Sequence, residues 1–232
     1  MSLLTVVNSA QRRLTLPTSA SVAGTSDETA RLFLELANEV GKALYRRFPW
    51  QILRLEHTWS ATATEEQASG LPEGYGSMVQ RTFYNRSRKR RVLGPYTAQA
   101  WQYQKSVTAQ VVYDSFTIRG GQLLIIPTPT LGDTYAFEYI SEYWVTSDVD
   151  ADAYRLDTDI SKIDEELITL GIIWRFKKSK GFDYAEDFNE FEMEVKKAMA
   201  ADGGGGQTID AAGCFDPDAP REPGVPEGSW IV

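Results

Sequence analysis

One histidine, His57, and one cysteine, Cys214, are all that the chain offers to chemistry built on imidazole or thiolate. A lone cysteine excludes an intramolecular disulfide and a cysteine-rich zinc centre, and suits a reducing cytosol. Any Ser-His-Asp or Cys-His arrangement would have to use His57. That residue falls on the apolar side of an alternating segment, where a half-buried, hydrogen-bonded histidine is expected rather than a general base. Around Cys214 nothing is placed to orient the thiol or lower its pKa. Long apolar runs are missing too, and Met1 to Leu14 lacks the basic start and small-residue cleavage site of a secretory signal, so neither a membrane span nor export is expected. Basic residues are the minority: 24 Lys plus Arg against 32 Asp plus Glu give a net charge of -8, which argues against a generic nucleic-acid binder held by an overall positive field and leaves only local DNA contact. Nor is there a phosphate cradle. Gly74-Tyr75-Gly76 has Val79 at the third fingerprint position, and Gly203 to Gly206 precede no Lys-Ser/Thr pair.

What remains is enough for a sizeable core: 232 residues, 42% of them hydrophobic and 12% aromatic. Ser2 to Leu14 reads as a short helix with Ser2 as its cap, and Thr18 to Ser26 as a loop. Ser26 is the expected cap of a stronger helix whose stripe is Ala30, Phe33, Leu34, Ala37, Val40, Gly41 and Leu44, ended by Pro49. The period then falls to two. Ile52 to Trp59 alternates as a half-buried strand with Leu53, Leu55, His57 and Trp59 on one side, and Ala61 to Gly70 is a polar loop. Met78 to Tyr84 fits either a strand or a short helix, and Thr97 is placed to cap a helix through Trp101 and Tyr103. Gly120-Gly121 between apolar runs predicts a two-residue hairpin, followed by a strand from Thr134 to Val145 with aromatics on both faces. Helical period returns at Ile160, with Ser161 as the expected cap, a stripe of Ile163, Leu167, Leu170, Gly171 and Trp174, and Gly181 as terminator. A last helix runs from Asp183 to about Ala200 with Phe188, Phe191, Val195 and Met199 on one face.

The fold class expected is therefore α+β: N- and C-terminal helices closing one bundle, with a β-rich lobe inserted and a disordered C-terminal tail. The expected divisions are 1-50, N-terminal helices; 51-147, β-rich insert; 148-201, C-terminal helical hairpin; and 202-232, a flexible acidic Gly/Pro tail. From Asp202 onward the acids Asp202, Asp210, Asp216, Asp218, Glu222 and Glu227 face only Arg221, a composition that does not fold alone. Yet this stretch finishes on Trp230, Ile231 and Val232. Such an end either docks onto a partner or is an appended remnant, and docking is the preferred reading.

Two charge clusters stand out. Arg81, Arg86, Arg88, Lys89, Arg90 and Arg91 occupy an acid-free stretch, which reads either as a solvated basic loop or as a contact for an acidic surface or phosphate. Asp148, Asp150 and Asp152, with Asp159 at position twelve, match the spacing of a calcium loop. However, position six is Ala153 where a glycine is needed, and the last ligand is the shorter aspartate, so an acidic connecting loop is preferred.

The order of segments resembles the head-to-tail adaptor (head completion, connector) proteins of tailed bacteriophages. The residues carrying the resemblance are the helix Thr29 to Gly41 followed by Arg47-Phe48-Pro49-Trp50-Gln51, the hairpin strand Leu124-Ile125-Ile126-Pro127-Thr128-Pro129, and the aromatic strand Thr134 to Tyr139. Asp157-Thr158-Asp159 then leads into a helix with Leu170-Gly171 and Trp174. The match covers roughly residues 1 to 200.

The resemblance implies a structural protein without catalysis or cofactor, located in the virion neck and made in the host cytoplasm. Its partners would be the portal protein, a downstream tail or nozzle protein, and further copies of itself in a ring of twelve. Double-stranded DNA would pass through the lumen without sequence readout, and no membrane is implied. By position, Trp230, Ile231 and Val232 would anchor on the portal, and Arg86, Arg88, Lys89, Arg90 and Arg91 would face the portal or a neighbouring subunit. The alternatives from other classes are a monomeric calcium- or carbohydrate-binding module on the β-rich middle, and an enzyme acting on cell-wall sugars through two acids.

Overall fold

A computed structural model describes residues 2–106 and 113–203 of the chain. The fold is α+β, with five helices and several antiparallel sheets among the described residues. Four helices build the first core: α1 (Leu3–Arg13), α2 (Glu28–Arg47), α4 (Glu165–Lys180) and α5 (Ala185–Asp202). The central one is α4, which packs on α1, α2 and α5. A helix enclosed in this way must be apolar nearly all round, and Leu167 to Ile173 are buried without a break. Two glycines allow the close approach. Gly41 of α2 lies against Trp144, and Gly171 of α4 against Val40. Phe33 and Phe176 stack with ring centroids 5.0 Å apart, and Arg47 grips Glu192 by two bonds of 2.6 Å across α2 and α5.

The helix ends differ in detail from the sequence reading. Asp27, not Ser26, caps α2, its carboxylate accepting the Thr29 amide at 3.0 Å. Leu36 rather than Leu34 is among the buried residues of that helix. Ser2 makes no side-chain cap; instead it forms a β-bridge with Ile160. Ile160 and Ser161 are not helical but form β10, paired with β9 (Val145–Thr146), and the cap of α4 is Asp164, accepting from Glu166 N at 2.9 Å. Gly181 ends α4 as expected, at φ 76°.

The second core belongs to the β lobe. Strand β8 (Thr134–Ser141) is its axis: β1 (Arg54–Ser60) pairs along one edge, and β3 (Tyr75–Met78) and β4 (Tyr84–Asn85) along the other, with β5 (Arg90–Arg91) beyond β4. The segment Met78 to Tyr84 is thus the turn region between two strands. Ile52 lies in a 3-10 turn before β1, and Leu55 is 42% exposed, so the expected apolar side of this strand is carried by His57 and Trp59 only. The short β2 (Glu66–Gln67) joins β7 (Gln122–Ile126), which pairs with β6 (Ser115–Arg119) through the Gly120-Gly121 turn, both glycines at positive φ. Thr97 caps α3 (Ala98–Ser106), its Oγ1 accepting from Ala100 N at 3.3 Å. Phe83, Phe116, Tyr135 and Phe137 are packed between the sheets, with Phe83 and Phe116 edge to face at 4.9 Å.

Candidate assembly surfaces

The basic run is a hairpin. Tyr84 and Asn85 pair with Arg91 and Arg90, so Arg86 to Lys89 form the connection, with Lys89 in the left-handed region at φ 54°. The cations at its tip are unequal. Arg86 is ion-paired with Glu56 of β1, and Arg88 with Asp133 at 2.9 Å, besides a bond to the Thr130 hydroxyl. Lys89, Arg90 and Arg91 have exposed side chains on the outer edge of the sheet. The hairpin is held from below by a buried network in which Asn85 donates to Asp114 at 3.1 Å and to Asp133 at 3.2 Å, while the Tyr135 hydroxyl donates to Asp114 at 2.7 Å. Burial, then the neighbouring Asp114, push the Tyr135 hydroxyl well above its ordinary pKa, so it stays a donor. Asn85 also accepts the Arg88 amide at 3.0 Å and so fixes the turn. The sequence displays this cluster as free charge, because the acids that bind two of its members lie far away along the chain.

The four aspartates of the calcium-like spacing are not brought to one point. Asp150 pairs with Lys162 at 2.6 Å and Asp152 with Arg155 at 3.3 Å. Asp159, buried, accepts the amides of Arg155 and Leu156 at 2.7 and 2.8 Å, and Asp148 is exposed. Among the described residues no three acidic, histidine or cysteine side chains are grouped to hold a metal ion. This loop's work is structural: the Asp157 carboxylate accepts Ser21 Oγ and the amides of Val22 and Ala23 at 2.6 to 2.8 Å, fastening the α1–α2 loop to it. Burial by itself would raise the Asp157 carboxyl. The bonds from Ser21, Ala23 and Val22 outweigh it and hold it below its usual value.

His57 stacks on Trp59 at 5.3 Å, and its Nε2–H donates to the Ser69 carbonyl at 2.8 Å. This bond and the stacking on Trp59 fix the orientation of the ring.

A feature without a sequence motif sits where α1 ends beside the end of α4. Thr15 follows α1 in the left-handed conformation, φ 56°, and turns Leu14 and Leu16 toward Phe176 and Phe182. They line a groove of about 550 Å³ rimmed by Arg13, Lys177 and Lys180. Phe182 is 62% exposed. Its sequence signal was an apolar residue directly after the helix-terminating Gly181.

Trp230, Ile231, Val232 and Cys214 lie outside the described residues. No helix among the described residues is long and apolar enough to cross a membrane. No curated protein matches the chain. The SU10 adaptor protein family model matches residues 1–212. That span includes the five described helices and both cores, so the chain belongs to the SU10 adaptor protein family, in agreement with the resemblance to phage head-to-tail adaptors carried by its segment order.

Proposed function

We propose that the chain is the ring-forming neck component that joins a phage portal to its tail. In this reading twelve copies sit beneath the portal, the lumen continues the DNA channel, and the far face receives the tail or nozzle protein. The observation that carries it is the family match across residues 1–212. Residues 1-50 and 148-201 supply the helical body, 51-147 the lobe that meets neighbours or the tail, and 202-232 the extension that reaches the portal. Trp230, Ile231 and Val232 serve as its apolar anchor, and the hairpin carrying Arg86, Arg88, Lys89, Arg90 and Arg91 faces the portal or an adjacent subunit. A net charge of -8 suits a channel in which DNA slides rather than sticks. The role is structural, and no catalytic step belongs to it.

The test is electron microscopy of the protein mixed with the portal ring of its own virus, using the full chain and a version ending at Gly203. The shorter form keeps Asp202, whose carboxylate accepts Gln51 N at 2.8 Å. Added ring density with the full chain and its loss on truncation support both the role and the anchor. Rings with both forms refute the anchor, and the absence of any association refutes the role.

A further inference from the structure

The groove between the end of α1 and the end of α4 combines an apolar floor with a basic rim. Its floor is Leu14, Leu16, Phe176 and the exposed Phe182. Among the rim cations Arg13 is paired with Glu166 and Lys177 with Asp187, while Lys180 lies 5.7 Å over the Phe176 ring and, among the described residues, has no carboxylate partner. The complement of such a groove is a short apolar peptide flanked by acids.

The chain carries one. Residues 204–232 contain Asp210, Asp216, Asp218, Glu222 and Glu227 against Arg221 alone, and reach Trp230-Ile231-Val232. Distance permits the meeting. The 18 residues of α5 separate Gly203 from the Phe182 end of the groove, about 27 Å at ~1.5 Å per residue. The segment from 204 to Trp230 can span up to ~90 Å at ~3.3 Å per residue.

We infer that in the free subunit the Trp230-Ile231-Val232 segment docks in its own chain's groove, between Leu16, Phe176 and Phe182, with Lys180 facing the acids that precede it. The anchor is then stored on the subunit until a competing surface draws it out. Aromatic packing on Phe182 supplies the contact, and the basic rim sets the direction of the peptide. This goes beyond the neck reading, because it concerns the subunit before any partner is met.

A fluorescein-labelled peptide of residues 222–232 is titrated into the full chain and into a full-length Trp230→Ser/Ile231→Ser variant, with both confirmed as monomers by sedimentation. The variant binds the peptide. The wild type binds it about tenfold more weakly or worse, because a tethered terminus competes at an effective concentration on the order of millimolar. Phe182→Ser or Lys180→Glu, placed in the variant, removes peptide binding; both side chains project from the surface, so the fold is kept. Equal affinity for the two proteins, no binding to the variant, or binding indifferent to Phe182→Ser overturns the inference. Occlusion that rises with protein concentration assigns the groove to a neighbouring copy and overturns the intramolecular arrangement. Portal association is read in a separate experiment, so failure here leaves the neck reading standing.

Discussion

Trp144 occupies the space that a side chain at Gly41 would need. The indole cannot retreat, because its Nε1–H donates to Asp152 O at 2.7 Å and Tyr154 meets it edge-on at 5.0 Å. Gly41→Ala therefore overpacks the contact between α2 and the strand end at Trp144. The expected loss is about 1–3 kcal/mol, seen as a lower urea midpoint with an unchanged slope.

The Asp157 clasp predicts a pH dependence with a definite sign. A carboxyl held below its ordinary value in the folded state stabilises the fold fully above the unfolded pKa, about 3.9, and the contribution disappears as pH falls through the lower folded value. Urea midpoints should be flat from about pH 7 to 5 and fall below about pH 4. Asp157→Asn should lower the midpoint at pH 7 and flatten the acid limb.

Asn85 holds two carboxylates and a turn at once. Asn85→Ala takes from buried Asp114 one of its donors, at a cost of about 1–3 kcal/mol, and releases the hairpin. Amide exchange over Tyr84–Arg91 should quicken while that of α4 stays slow.

Thr15 is a β-branched residue in the left-handed region, a conformation that costs an L-residue ~1–2 kcal/mol. Glycine avoids that strain but returns ~0.5–1 kcal/mol through the freer unfolded chain. Thr15→Gly should raise stability by about 0.5–1 kcal/mol, measured as a higher melting temperature.

On the outer hairpin the cations should separate into two kinds. Lys89→Ala with Arg91→Ala should leave stability within about 0.5 kcal/mol and weaken portal association, most clearly at low salt. Arg88→Ala breaks the pair with Asp133 and should lower the melting temperature as well.

Local signals in the sequence are legible where a single residue carries the backbone requirement. Gly120-Gly121, Thr97 and Gly181 each stand where a turn or cap demands them. Competing caps were harder. Ser26 and Asp27 are adjacent and both are residue types that can cap, and Ser161 gives way because Ile160 and Ser161 are taken by the ladder to β9, which leaves Asp164 to open the helix. Strand order was hidden altogether, since pairing β8 with β1, β3 and β4 is decided by shared burial of rings distant in sequence. The basic run looked uniform for the same reason: Glu56 and Asp133, which occupy Arg86 and Arg88, are contributed by other elements. Trp230, Ile231 and Val232 are legible only as an apolar end, and the groove proposed to receive them is assembled from two helix ends that no sequence window contains.

Strand β8 places Tyr135, Phe137 and Tyr139 in the lobe core and Ile140 in the helical core. Both β1 and β8 run into the helical core at the same end of their ladder, Arg54↔Ile140, so a force drawing the lobe away from the helices along this strand is carried by two strands side by side. The strand thus behaves as a tie bar, and a tug on the lobe becomes a load on the helices before it becomes a deformation of the subunit.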